Sequence, residues 1–247
     1  MPKITVIIPT QNKRESLDRA VNSILNQSFK DWELYIVNDS SLDIEPYNDS
    51  RINIILNEEA KGANGARNTG IKYALGKYVA FLDDDDEWLP PKLDLQLNLM
   101  EKEQSLLSFT GKNIFKKDTF QKYSFRNSYS WMLIFYNYVG TTSSIMVSTN
   151  IIKSIHGFDP SLSQLQDYDL FLRLRKLGKF SGIDNPLINY YMDKSDKHIS
   201  KNWGNFFSSS YKIWLKQKGV GLLLLPFGFM ITFLMKIKNA INRWHFK

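Results

Sequence analysis

The sequence predicts an α/β protein built on a mixed, mostly parallel sheet with helices on its faces. Three observations carry that expectation. Short β-branched runs alternate with helix-periodic segments through the first hundred residues. The runs are apolar throughout, as in strands covered on both faces. Small, polar and acidic residues follow the runs directly, and open α/β sheets bind their ligands outside the carboxyl ends of their strands.

Taken in order, Ile4-Thr5-Val6-Ile7-Ile8 is the first strand, and Leu17, Val21, Ile24 and Leu25 then repeat at helical spacing. Glu33 to Val37 and Ile52 to Leu56 are the next two strands. Ala66 to Leu75 is a helix, Tyr78 to Leu82 a fourth strand, and Pro90 and Pro91 suit the first turn of a helix running to about Gln104. Such alternation implies βαβ units and a parallel sheet. Leu106 to about Ser148 mixes strands with an aromatic stretch (Tyr129, Trp131, Phe135, Tyr136, Tyr138). Leu170, Leu174 and Leu177 then mark a helix over Gln166 to Leu177, closed by Gly178, and Tyr190-Tyr191 lies on a late strand.

With 247 residues, 43% of them apolar, the chain can bury a large core and one appendage. The absence of cysteine excludes disulfides, thiolate metal sites and a cysteine nucleophile. The apolar run Ile4 to Ile8 is too short for a signal peptide and is followed by polar Gln11, Asn12 and Lys13. The net charge of +7 is unevenly placed: from Lys194 onward ten Lys/Arg face one acid, Asp196, whereas residues 1–193 carry 22 bases and 24 acids. A basic tail suits an anionic membrane surface or nucleic acid, and the apolar residues around it favour the membrane.

The residues following the strands are Pro9-Thr10-Gln11-Asn12, Asn38-Asp39-Ser40-Ser41 and Asp83-Asp84-Asp85-Asp86. Four consecutive aspartates repel one another unless some are neutralised or shifted in pKa. A divalent cation with hard oxygen ligands, Mg²⁺ or Mn²⁺, answers that need, and one or two carboxylates plus substrate phosphates suffice to hold it. The competing explanation is an acid-rich helix start favoured by the macrodipole.

Six segments, in order, resemble the family 2 glycosyltransferases, whose Rossmann-like nucleotide-diphospho-sugar transferase fold is called GT-A. Val6 to Asn12 is similar to the family's opening strand and turn, and Val37-Asn38-Asp39-Ser40-Ser41 to its Asp-Asp-Gly-Ser segment, with Asn first and Ser replacing Gly. Gly62 to Gly70 matches its Gly-x-x-x-Ala-Arg-Asn-x-Gly stretch, and Phe81 to Leu89 its Asp-x-Asp core with the flanking Trp-Leu-Pro. Gly157-Phe158-Asp159 and Gln166-Asp167-Tyr168-Asp169-Leu170 match two later segments, with Gln166 where Glu is commoner.

The resemblance implies a catalytic domain over residues 1–200 and a basic, apolar helical extension over 201–247. It implies sugar transfer from a nucleotide diphosphate donor, with UDP the expected nucleotide, to an acceptor hydroxyl. That hydroxyl is expected on a lipid-linked saccharide of capsule, O-antigen or lipopolysaccharide synthesis. Asp39 would accept from the base; Pro9, Thr10 and Asn12 would line the base and ribose pocket; Arg67 would face the diphosphate or base edge; Asp83 would touch ribose with Asp84 beside it; Asp85 would ligate Mn²⁺ or Mg²⁺. Asp167 would be the base of an inverting single displacement. His198 and Ser200 stand where relatives close a loop over the diphosphate, but the flanks match poorly and His198 reads as solvent-exposed.

Gly219 to Met235 is a 17-residue stretch without charge, interrupted by Pro226. At ~1.5 Å per residue it falls short of a ~30 Å hydrocarbon core, so an interfacial helical hairpin is expected rather than a span. The basic and aromatic flank that follows suits anionic headgroups. The expected address is thus cytoplasmic, peripheral on the inner face of the membrane, with no nucleic-acid partner. The same motifs would serve sugar transfer to polyprenyl phosphate or an inactive nucleotide-sugar-binding relative; a dinucleotide oxidoreductase is excluded because no Gly-x-Gly-x-x-Gly follows the first strand.

Overall fold

The computed structural model describes residues 1–11, 14–116, 119–123, 130–191, 203–217, 223–230 and 233. Asn12, Tyr129, His198, Ser200 and all of the basic flank beyond Met235 lie outside the described residues, as do parts of the 219–235 stretch.

Among the described residues, nine strands form one mixed sheet in the order β3-β2-β1-β4-β8-β6-β9-β5, with β7 paired to β6. The first half is parallel: β1 (Ile4–Thr10) lies between β2 (Trp32–Asn38) and β4 (Tyr78–Phe81), and β3 (Ile52–Leu56) flanks β2. The second half alternates. β8 (Ile145–Ser148) runs antiparallel to β4 and to β6 (Leu107–Lys116), β6 runs parallel to β9 (Phe180–Tyr191), β5 (Glu87–Trp88) pairs antiparallel with β9, and β7 (Thr119–Tyr123) pairs antiparallel with β6.

The β-branched runs form strands because both sheet faces are covered. Ile4, Val6 and Ile8 enter one core layer with Leu17, Val21 and Ile24 of α1 (Arg14–Leu25) and Leu93, Leu97 and Met100 of α3 (Lys92–Glu103). Ile7 and Phe81 enter the opposite layer with Ala66 and Ile71 of α2 (Ala63–Tyr73), Ile152 of α4 (Thr149–Ser154), and Leu170 and Phe171 of α5 (Gln166–Leu174). Gly70 permits the closest approach: a Cβ there would sit 2.6 Å from Ile7 Cγ2, so α2 rests directly on β1.

Several bounds differ from the sequence expectation. α2 starts three residues earlier than Ala66 and stops at Tyr73; α3 begins after Pro91 instead of including the prolines; α5 stops at Leu174, with residues 175–177 in a turn. The first two differences follow from helix ends, where Gly62 and Gly65 hide a first turn and proline cannot donate. α6 (Trp203–Leu215) carries the chain on, and residues 223–230 are also helical. Among the described residues no helix is long and apolar enough to cross a membrane.

Candidate active site

Strand order reverses between β1 and β4, and at such a point open α/β sheets bind ligands outside the carboxyl ends of their strands. Thr10 ends β1; its hydroxyl donates to Asp84 Oδ2 at 2.6 Å, joining the β1 end to the turn after β4. Pro9 is buried just before it. Asp39 follows β2, and its amide donates to the Thr10 carbonyl at 2.8 Å. Its carboxylate accepts from Asn57 Nδ2 at 2.6 Å and from the Gly62 amide at 2.8 Å, bridging the end of β3 to the start of α2. Asn38, where the family pattern has Asp, closes this turn itself: its amide donates to the Leu42 carbonyl, and its oxygen accepts from the Ser40 amide and hydroxyl.

The four aspartates turn out to be four different environments. Asp83 accepts from Arg67 Nη2 at 2.5 Å and from the Thr142 hydroxyl at 3.1 Å, while its amide donates to Ser143 Oγ. Asp84 is tied to Thr10. The backbone carbonyl of Asp85 accepts from Arg19 Nη2 at 2.8 Å, and the Arg19 guanidinium lies 4.3 Å from the Tyr191 ring centre. Asp86 is fully buried, with the Ser143 side chain as the polar group that faces its carboxyl. Burial, then the charges of Asp83 and Asp85, push its carboxyl well above the usual carboxylate range. Like-charge repulsion is thus relieved by an arginine at one position and by a raised pKa at another.

Arg67 is buried rather than a surface cation of α2, and its guanidinium lies 5.3 Å from the Phe158 ring centre. Phe158 in turn meets Phe81 edge-on at 5.3 Å. Its backbone is held on both sides by Asn68, whose amide donates to the Phe158 carbonyl and whose oxygen accepts from the Phe158 N–H, each at 2.8 Å. Gly157 makes this fit with φ at +63°, where a Cβ would collide with Asn68 Oδ1. The Arg-Asn and Gly-Phe-Asp segments are therefore two halves of one support. Trp88 of the Trp-Leu-Pro flank completes it: its indole donates to the Ser143 carbonyl at 3.0 Å, fixing the 3₁₀ turn Thr142–Ser144 beneath Asp83.

Asp167 stands at the start of α5. Its Oδ1 accepts from the Tyr168 amide at 2.8 Å, and Asn137 Nδ2 lies 3.4 Å from its Oδ2. Burial raises its pKa, opposed by the Tyr168 amide and by the charges of Arg67 and Lys112. Asp169 has a different office: it is fully buried, bonds Arg173 at 2.8 Å and Lys216 at 2.9 Å, and so ties α5 to the end of α6. Lys216 also reaches Asp159 at 2.5 Å.

Sequence reading did not single out Lys112 or Asn137. Both line a cavity of about 290 Å³ with Thr110, Ile114, Gly140 and Thr141. Burial lowers the Lys112 pKa against the opposing charges of Asp86 and Asp167, and its ammonium lies 4.8 Å from the Tyr190 ring centre. The only sequence signal was a Lys on an otherwise uncharged strand stretch, Leu107 to Ile114. Among the described residues no three His, Cys, Asp or Glu side chains gather as a closed metal cage. A cation held partly by ligand phosphates needs only one or two protein carboxylates.

A model of glycosyl transferase family 2 matches residues 5–156. The chain is 33% identical over 200 residues to the UDP-Glc:α-D-GlcNAc-diphosphoundecaprenol β-1,3-glucosyltransferase WfaP of Escherichia coli, a match covering 77% of each chain. It is 33% identical to the amylovoran biosynthesis glycosyltransferase AmsB of Erwinia amylovora, over 76% of this chain and 69% of that one. It is 41% identical to E. coli WfgD, a UDP-Glc:α-D-GlcNAc-diphosphoundecaprenol β-1,3-glucosyltransferase like WfaP, but over 40% of this chain and only 41% of that relative's length. In shape it is similar to S. aureus TarS residues 1–349 crystallised with UDP-GlcNAc, with a TM-score of 0.73 and 18% identity over 86% of this chain and 66% of that one. It is likewise similar to the mannosyltransferase PcManGT of Pyrobaculum calidifontis, solved with GDP-Man and Mn²⁺, with a TM-score of 0.65 and 15% identity over 97% and 80%. These two likenesses establish a GT-A-like α/β fold, and with a family model spanning more than half of its length, the chain belongs to glycosyl transferase family 2.

Proposed function

We propose that this chain transfers a sugar from a UDP-sugar to a hydroxyl of a lipid-linked saccharide, by single displacement with inversion. One observation carries the reading: at the reversal of strand order, Thr10–Asp84 and Arg67–Asp83 brace one rim of a crevice, and the desolvated carboxylate of Asp167 shares Arg67's field. The acceptor oxygen forms its bond to the anomeric carbon as the bond to the diphosphate oxygen breaks. The acceptor proton passes to Asp167, and a carboxyl with a raised pKa is better matched to that task. Asp39, Thr10 and Pro9 bind the base and ribose, with Asn12 adjacent in sequence. Asp85 holds Mn²⁺ or Mg²⁺, which would supply charge stabilisation to the departing diphosphate. The reactions named for the relatives WfaP and WfgD support the donor and acceptor classes. In this reading residues 1–200 do the chemistry on the cytoplasmic side, and 201–247 hold it against the inner membrane face.

The test is calorimetry of nucleotide sugars with Mn²⁺, repeated with Asp85→Ala. A UDP-sugar should bind, and the variant should bind about tenfold more weakly or worse. Unchanged affinity rejects the metal role, and no binding by any nucleotide sugar rejects the reading itself.

Lys112 favours a second reading, in which the acceptor is polyprenyl phosphate, because it places a cation in the cavity on the acceptor side. A phosphate is already ionised and needs no base. Asp167→Asn would then leave transfer nearly intact, whereas a hydroxyl acceptor makes the substitution disabling.

A further inference from the structure

We propose that the groove between α6 and the helix over residues 223–230 seats the hydrocarbon chain of a prenyl-diphosphate-linked acceptor, which deepens the function proposed above and rests on its lipid-linked acceptor. The cavity is about 490 Å³ and is walled by Phe206, Phe207, Tyr211, Trp214, Phe229 and Met230. Its aromatic rings touch one another: Phe206 meets Phe207 at 5.6 Å, Tyr211 meets Trp214 at 5.9 Å, and Phe207 meets Phe233 at 5.5 Å.

Its exposure is unusual for a core. Phe207 is 54% exposed, Tyr211 59% and Met230 51%, on two neighbouring elements. Contiguous exposed apolar surface of this kind marks a binding face. A concave, nearly unpolar cavity suits an alkyl or prenyl chain, because it offers few partners for the amides of a peptide.

Position selects the occupant. Phe229, which lines the groove, packs edge-on against Tyr168 at 6.1 Å. The Tyr168 amide holds the carboxylate of Asp167, and the Tyr168 hydroxyl donates to the Leu133 carbonyl at 2.5 Å. The helix over 223–230 is pressed onto that same segment, since a Cβ on Gly228 would collide with the Ile134 carbonyl oxygen. The groove therefore shares a wall with the element that carries the candidate base. A saccharide whose hydroxyl reaches Asp167 has its lipid within reach of this wall.

The test uses the full chain and needs no turnover. Geranylgeranyl diphosphate, kept below its micellar concentration, and inorganic pyrophosphate are titrated separately while tryptophan emission is read. The prenyl compound should bind saturably and about tenfold more tightly than pyrophosphate or better. Trp214→Phe should remove most of the signal. Phe207→Ser with Met230→Ser, both at exposed positions, should weaken prenyl binding about tenfold while UDP-sugar affinity and melting temperature stay unchanged. Equal affinity for the two diphosphates, or unchanged prenyl affinity in the double variant, overturns the proposal. So does a double variant that loses vesicle pelleting yet keeps prenyl binding, since the face is then a membrane contact alone. If no UDP-sugar binds the wild type, the transferase reading fails while prenyl binding still decides this one.

Discussion

Replacing Arg67 with Met keeps the apolar stem of the side chain and removes its guanidinium charge. The guanidinium is buried, bonds Asp83 at 2.5 Å and Thr142 Oγ1 at 3.3 Å, and lies over the Phe158 ring. Stripping one partner from a buried ion pair costs about 3–5 kcal/mol because the other charge is left behind. Asp83 is 28% exposed on its side chain and keeps the Thr142 hydroxyl, so water and that bond recover part of the loss. The expected cost is ~2–3 kcal/mol. At ~2–4 °C per kcal/mol for a chain of this size, the melting temperature should fall by ~5–10 °C. Asp83→Asn alone leaves Arg67 buried without its anion and should cost a similar amount. The double variant leaves no stranded charge and should cost less than the two singles together, with a coupling of ~1 kcal/mol or more. Thermal unfolding of the four proteins without ligand gives the coupling directly. Strict additivity would show that the pair is not a unit, and the account of the rim as a braced structure would fall with it.

Asp167→Asn should lower kcat about 10²–10⁴-fold while leaving donor affinity unchanged, measured by product formation and calorimetry. The wild-type rate should fall on the acid side as Asp167 is protonated, and the fall should begin above the ordinary aspartate range because burial raises this carboxyl. Lys112→Gln removes a charge that opposes that rise and should move the acid limb to still higher pH; a pH–rate profile that does not move refutes the coupling. Gly157→Ala forces a left-handed backbone at ~1–2 kcal/mol and displaces Asn68 from two hydrogen bonds at ~1 kcal/mol each, so a loss of ~3 kcal/mol should appear as a drop of ~6–12 °C in Tm. A drop of about 1 °C would mean that Asn68 moves aside freely.

Elements with strong local pattern were legible in the sequence. The β-branched strand at Ile4 stands where its run places it, because burial on both faces leaves no other home for such residues, and the run at Ile52 forms its strand half-buried at the sheet edge beside β2. The rim was legible for the same reason, since residues after parallel strands share one edge. What escaped was set by tertiary contact. Four aspartates in a row look alike in one dimension, yet Arg67, Thr10, Arg19 and full burial make each different. Lys112 depends on β6 pairing with β9, more than sixty residues later in the chain, and no local pattern announces that. The paired roles of Asn68 and Gly157 were likewise invisible: their motifs are separate in sequence and meet only when α2 packs beside α4.

The ammonium of Lys216 has a practical bearing on where this chain is divided. It neutralises Asp159 and half-satisfies the wholly interior Asp169, which otherwise has Arg173. A fragment ended at residue 200 loses that counter-ion and uncovers the surface on which Ile213 and Phe206 rest. One ended after Lys218 retains both. Of the two cuts, the later should yield the better-behaved protein for crystallisation.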